Sequence, residues 1–135
     1  MTVNYTDLGN LNGALALAGA GASPINVAIK SAMPNGQVAR GLKLKINISQ
    51  APTGTTPTIT VTIQGVDSVT GQKWTILASA ALNAQGFTVM TVFPGAPVTS
   101  NLSANDEIPA NVNINVAFGG TTPSFTGNID AELLP

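Results

Sequence analysis

The feature that most constrains this chain is a recurring two-residue alternation of apolar and polar side chains. In Arg40-Gly41-Leu42-Lys43-Leu44-Lys45-Ile46-Asn47-Ile48 every even position from Leu42 onward is aliphatic. The same pattern runs through Thr58-Ile59-Thr60-Val61-Thr62-Ile63-Gln64 and through Asn111-Val112-Asn113-Ile114-Asn115-Val116. A strand directs successive side chains to opposite faces, so each stretch has one apolar and one polar face. Such stretches belong in antiparallel sheets with one face on a core and the other toward water.

Turn signals divide the chain into short strands. Ile25-Asn26-Val27-Ala28-Ile29 precedes Pro34-Asn35-Gly36, and the composition of residues 51–57 and 119–123 predicts loops. Asp67-Ser68-Val69-Thr70-Gly71 predicts a hairpin: Asp bonds the local backbone and Gly71 accepts positive φ. Further strands are expected over Lys73–Ser79, Phe87–Phe93, Asn111–Phe118 and Phe125–Leu134. Seven or eight short strands make an all-β fold, an antiparallel β-sandwich of jelly-roll or immunoglobulin-like type. The expected core is Leu42, Leu44, Ile46, Ile48, Ile59, Val61, Ile63, Trp74, Ile76, Val89, Val112, Ile114, Val116, Phe118, Ile129 and Leu133. No internal repeat is expected.

Residues 1–23 differ in composition. They are rich in Ala and Gly, and Gly9, Gly13, Gly19 and Gly21 oppose the helix that Leu8, Leu11 and Leu15 would otherwise suggest. They read as an extended N-terminal arm or as a first strand with a glycine-rich loop. The domain division adopted is arm 1–23 and sandwich 24–135. The apolar run at 8–20 follows Asp7 and has no preceding Lys or Arg, so it is not expected to be a signal peptide. The sequons at Asn4, Asn47 and Asn101 then have no expected role. No apolar run approaches the ~20 residues of a membrane-spanning helix.

Composition narrows function. The 135 residues contain no His and no Cys, which removes Ser-His and Cys-His catalysis, disulfides and the common zinc sites. No phosphate-cradling P-loop occurs, and Gly19-Ala20-Gly21 is too short for a dinucleotide fingerprint. Only 8% of residues are charged, against about 25% in typical soluble domains, so solubility rests on Thr, Asn, Ser and Gln. Five scattered cations make no nucleic-acid-binding stripe. A weakly charged surface suits a protein that works inside an assembly.

Few side chains remain as candidates. Asp106-Glu107 are adjacent, and Asp130 and Glu132 share one strand face, but nothing in their spacing demands a glycosidase pair or a calcium site. Neither a catalytic residue, a metal nor a cofactor is expected. Lys43 and Lys45 share a polar face and protect an exposed strand or pair with Asp130 and Glu132, within the fold or across a subunit boundary. Reversing both lysines to Glu is expected to impair assembly more than folding. Trp74 is read as a core anchor rather than a sugar-stacking platform. Asn111, Asn113 and Asn115 line one polar face.

Several of these segments resemble a family of small virion proteins of tailed bacteriophages, head decoration or minor structural proteins. The similarity is carried by residues 40–48, Thr58-Ile59-Thr60-Val61-Thr62-Ile63-Gln64-Gly65-Val66-Asp67, Thr70-Gly71-Gln72-Lys73-Trp74-Thr75-Ile76-Leu77-Ala78-Ser79-Ala80-Ala81-Leu82, residues 87–95 and Ser103-Ala104-Asn105-Asp106-Glu107-Ile108-Pro109. After Pro109 the chain departs from it: relatives carry an aromatic, arginine-rich strand where this chain has Ala110-Asn111-Val112-Asn113-Ile114-Asn115. The resemblance implies a non-enzymatic capsid protein on the exterior of a virion, clamping neighbouring major capsid subunits as a homo-oligomer, with a trimer matching three-fold lattice positions. A tail or tail-fibre component and a carbohydrate-binding module are the alternatives. The expected capsid or subunit interface is Thr2, Val3, Tyr5, Leu8 and Leu11 of the arm, with Lys43, Lys45, Asp130 and Glu132. No nucleic-acid or membrane partner is expected.

Overall fold

The structure, a computed structural model, describes residues 15–16, 19–20, 23–32 and 36–134. Among the described residues ten strands follow one another: β1 (Leu15–Ala16), β2 (Gly19–Ala20), β3 (Ile25–Lys30), β4 (Gly41–Ile48), β5 (Thr53–Val66), β6 (Lys73–Ala78), β7 (Gly86–Val92), β8 (Ser103–Ala104), β9 (Asn111–Phe125) and β10 (Gly127–Leu134). They form two sheets. Sheet A has the order β1-β10-β4-β7-β8, and sheet B has β2-β9-β5-β6 with β3 also on β9. All pairings are antiparallel except β7 with β8. This is the expected β-sandwich.

The core lies between the sheets and follows the alternation. Sheet A contributes Leu42, Leu44, Ile46, Ile48, Met90, Val92, Ile129 and Leu133; sheet B contributes Ile29, Ile59, Val61, Ile63, Leu77, Val112, Ile114, Val116 and Phe125. Each aliphatic side chain taken out of water there stabilises the fold by about 1.5–3 kcal/mol before entropy is counted. Ile76 and Phe118 are partly buried against this core. Phe118 meets Phe125 with ring centroids 6.2 Å apart and planes tilted 50°, within the range for favourable aromatic contact.

Two expected core residues lie elsewhere. Val89 is only half-buried because β7 takes the other phase. Met90 pairs with Leu44 and Val92 with Leu42 on the core side, so Val89 falls opposite Lys45 on the outer side. Trp74 is 46% exposed. It pairs with Gly65 at the hairpin end of the β5–β6 ladder, just past a bulge at Ile63/Gln64. A Cβ at Gly65 would run into the indole ring, so the ring covers the space that the glycine leaves.

The expected loops at 51–57 and 119–123 are also strand. Gly54-Thr55-Thr56-Pro57 and Gly120-Thr121-Thr122-Pro123 are the same tetrapeptide, so the chain does hold a short internal repeat, and the two copies pair with each other. Between Thr53 and Thr55, β9 takes an extra residue; between Thr55 and Thr58, β5 takes one. The two bulges cancel, and the register is restored. Thr56 and Thr122 both have φ 46°, an uncommon conformation for a β-branched residue. Gly54 has φ 115° and Gly120 φ 92°. Each lies against the opposite copy's Thr-Thr carbonyls, so Cβ atoms are excluded at both positions.

In the N-terminal segment, Leu15–Ala16 pairs with β10 and Gly19–Ala20 with β9, so this short stretch touches both sheets. The expected interface residues Thr2, Val3, Tyr5, Leu8 and Leu11 lie outside the described residues.

Candidate functional site

Three surfaces present side chains in ordered sets. The first is the outer face of sheet A. Cross-strand register sets Asn47 opposite Asn128, Lys45 opposite Asp130 and Lys43 opposite Glu132. The two lysines and two carboxylates are thus brought together within one chain. The lysine column lies on β4 and the acidic column on β10. Lys45 Nζ reaches diagonally to Glu132 Oε1 at 3.3 Å, with side-chain exposures of 35% and 13%. Asn47 Nδ2 donates to Asn128 Oδ1 at 3.3 Å. Asp130 Oδ1 is buried and accepts no hydrogen bond. An unpaired buried acceptor costs about 1–3 kcal/mol. β7 flanks the lysine column with Val89 and the exposed Phe87.

The second surface is the outer face of sheet B. Asn113 Nδ2 donates to Asn26 Oδ1 at 3.0 Å and to Gln64 Oε1 at 2.8 Å. Asn115 Nδ2 donates to the same Asn26 oxygen at 3.0 Å. The amides therefore knit β3, β9 and β5 together, and Asn113 is buried beneath its neighbours. The alternating asparagines were legible in the sequence. Their partners Asn26 and Gln64 were not, because β3 and β5 reach them only through the fold.

The third is the end of the sandwich around Trp74. The indole lies on Gly65 and leaves nearly half of its surface to solvent. Neighbouring in sequence is the hairpin whose tip carries Val69. Its geometry is set by Asp67, which accepts hydrogen bonds from Thr70 Oγ1 at 2.5 Å and from the backbone nitrogens of Val69 and Thr70 at 3.3 Å. The Thr70 hydroxyl, followed by the Val69 amide, holds the Asp67 carboxyl below its ordinary range.

Among the described residues, the remaining carboxylates form no reactive constellation. Glu107 accepts from Arg40 Nε at 3.4 Å in an exposed pair, and Asp106 Oδ1 accepts from the Glu107 backbone nitrogen at 2.8 Å. Among the described residues no group of three or more carboxylates is arranged to hold a metal ion. A shallow open groove of about 210 Å³ runs beside Leu82, Gln85 and Phe87.

No protein-family model and no curated protein matches the chain. Among solved structures, it is similar to the N-terminal CBM22-1–GH10 modules of Clostridium thermocellum endo-1,4-β-D-xylanase 10B, complexed with xylohexaose. The TM-score is 0.41 and the identity 14%; the match covers 99% of this chain and 28% of that one. The chain thus spans under a third of the length of the protein it matches. At that level the similarity bears on neither ligand nor activity.

Proposed function

We propose that this domain is a structural binding module, and that it docks on the outer surface of a phage head across the seams between major capsid subunits. The observation that carries this reading is where the virion-like segments fall. They occupy β4, the distal half of β5, β6, β7 and β8 with the loop that follows it, a connected unit drawn from both sheets. The departure after Pro109 falls on β9, where the amide network replaces the aromatic and basic strand of the relatives. The resembling segments thus adjoin one another in each sheet, while the part that departs carries the amide face on its outer side and Val112, Ile114 and Val116 in the core on its inner side. Many copies, each binding weakly across a seam, resist internal pressure together.

The test mixes purified protein with expanded, undecorated heads and, separately, with tails. Saturable binding at fixed lattice positions on heads supports the proposal; binding to tails alone moves the assignment to a tail component. Removing residues 2–14, which leaves β1 and β2 in place, is expected to abolish head binding while the sandwich still melts cooperatively. Normal occupancy after that deletion would exclude the arm from the contact.

A second reading, a carbohydrate-binding module, is favoured by the exposure of Trp74. An indole with one face on Gly65 and much of the ring open can stack against the apolar face of a sugar. Quenching or a blue shift of the single Trp on titration with oligosaccharides, with calorimetric binding lost in Trp74→Ala, would support it. No hit on a glycan array together with no spectral change would rule it out.

A further inference from the structure

We infer that the outer face of sheet A is a two-fold self-association surface, and that its partner is a second copy of this chain. The argument goes beyond the virion reading and does not depend on it.

The face has three rows across two adjacent strands: Asn47/Asn128, Lys45/Asp130 and Lys43/Glu132. One column is cationic with an amide at its end; the other is anionic with an amide at the same end. A two-fold axis parallel to the strands and midway between the columns exchanges them. It lays Lys45 over the second copy's Asp130, Lys43 over its Glu132, and Asn47 over its Asn128, all at once. An axis across the strands would instead superpose lysine on lysine and carboxylate on carboxylate. Stacked sheets turn by about 30°, which the long lysine side chains absorb.

Pairing within one chain leaves charge over. Among the described residues, Lys45 is engaged by Glu132, while the side chains of Lys43 and Asp130 make no ion pair or hydrogen bond. The face therefore keeps for a partner the Lys43 ammonium and the half-buried Asp130, whose Oδ1 is turned out of solvent, and the two-fold places each of them against an opposite charge. The exchanged strands β10 and β4 make an overlap of roughly 10 by 27 Å, given ~4.8 Å between strands and ~3.4 Å per residue. That is about a third of the ~800 Å² per partner of a stable interface, so the dimer forms at micromolar concentration or above.

Sedimentation velocity on the full chain, over a concentration series, tests this. The wild type is expected to show a monomer–dimer equilibrium that weakens as salt rises. The double variant Lys43→Gln, Asp130→Asn keeps the Lys45–Glu132 bridge, so its fold is preserved. It is expected to weaken dimerisation by about tenfold or more. The fourfold reversal Lys43→Glu, Lys45→Glu, Asp130→Lys, Glu132→Lys rebuilds every pair with opposite sign and is expected to dimerise again. A wild type that stays monomeric, or that forms a trimer through this face, overturns the inference. So does a double variant that dimerises unchanged, or a folded fourfold variant that does not dimerise.

Discussion

Trp74 and Gly65 show how a single contact redirects a residue. By composition a lone Trp in a sandwich belongs in the core. Here it sits at the end of β6, opposite a glycine, and fills the space that the glycine leaves. Gly65→Ala is expected to displace the indole and cost about 1–3 kcal/mol, the usual range for overpacking, read by urea denaturation. Deep in the core, Ile46 and Ile63 are fully excluded from solvent. Either one changed to Ala is expected to lose about 2–5 kcal/mol in the same assay. At the hairpin, Asp67 is held below its ordinary range by Thr70 and Val69. A depressed carboxylate stabilises the fold above the unfolded pKa and loses that contribution as pH falls through the folded pKa. Acid titration of stability from about pH 4 downward should therefore be flatter in Asp67→Asn than in wild type. Identical acid limbs would show that the hairpin bonds carry no linkage.

At the scale of elements, β5 and β9 dominate. Their ladder runs the length of sheet B and contains the paired Gly-Thr-Thr-Pro copies, whose bulges cancel. Gly54→Ala and Gly120→Ala each force a Cβ onto opposing carbonyls at positive φ. Each is expected to cost about 1–3 kcal/mol. Hydrogen exchange should show the loss concentrated at 53–57 and 119–124, with the regular ladder from Thr58 to Gly65 still protected. Uniform loss of protection would contradict two locally compensating bulges.

The strands that alternate cleanly could be read from the sequence: all four inward residues of β4, three of β5 and three of β9 are buried as expected. β7 could not, because Phe87, Val89, Met90 and Val92 satisfy two phases, and only the pairing of Met90 with Leu44 chooses between them. The Gly-Thr-Thr-Pro copies read as loops because Gly and Pro mark turns, and their partner lies 66 positions away. Of the candidate surface, the alternation put Lys43 with Lys45 and Asp130 with Glu132 on faces. Only the β4–β10 register brought the two pairs together.

At the scale of the whole molecule, charge is scarce and placed. The chain has five Lys or Arg and six Asp or Glu, and four of these eleven share the outer face of sheet A. On the outer face of sheet B, amides take the place of charge and are bonded to each other rather than open. Such a body has little long-range repulsion to keep copies apart, which favours crowding on a lattice. The lattice proposed above is a phage head. That assignment is tested most directly by counting bound copies per expanded head, by sedimentation and cryo-electron microscopy, as protein is titrated in. Saturation at a fixed number of copies at symmetry-related positions is expected. Heads that stay bare at saturating protein would contradict it.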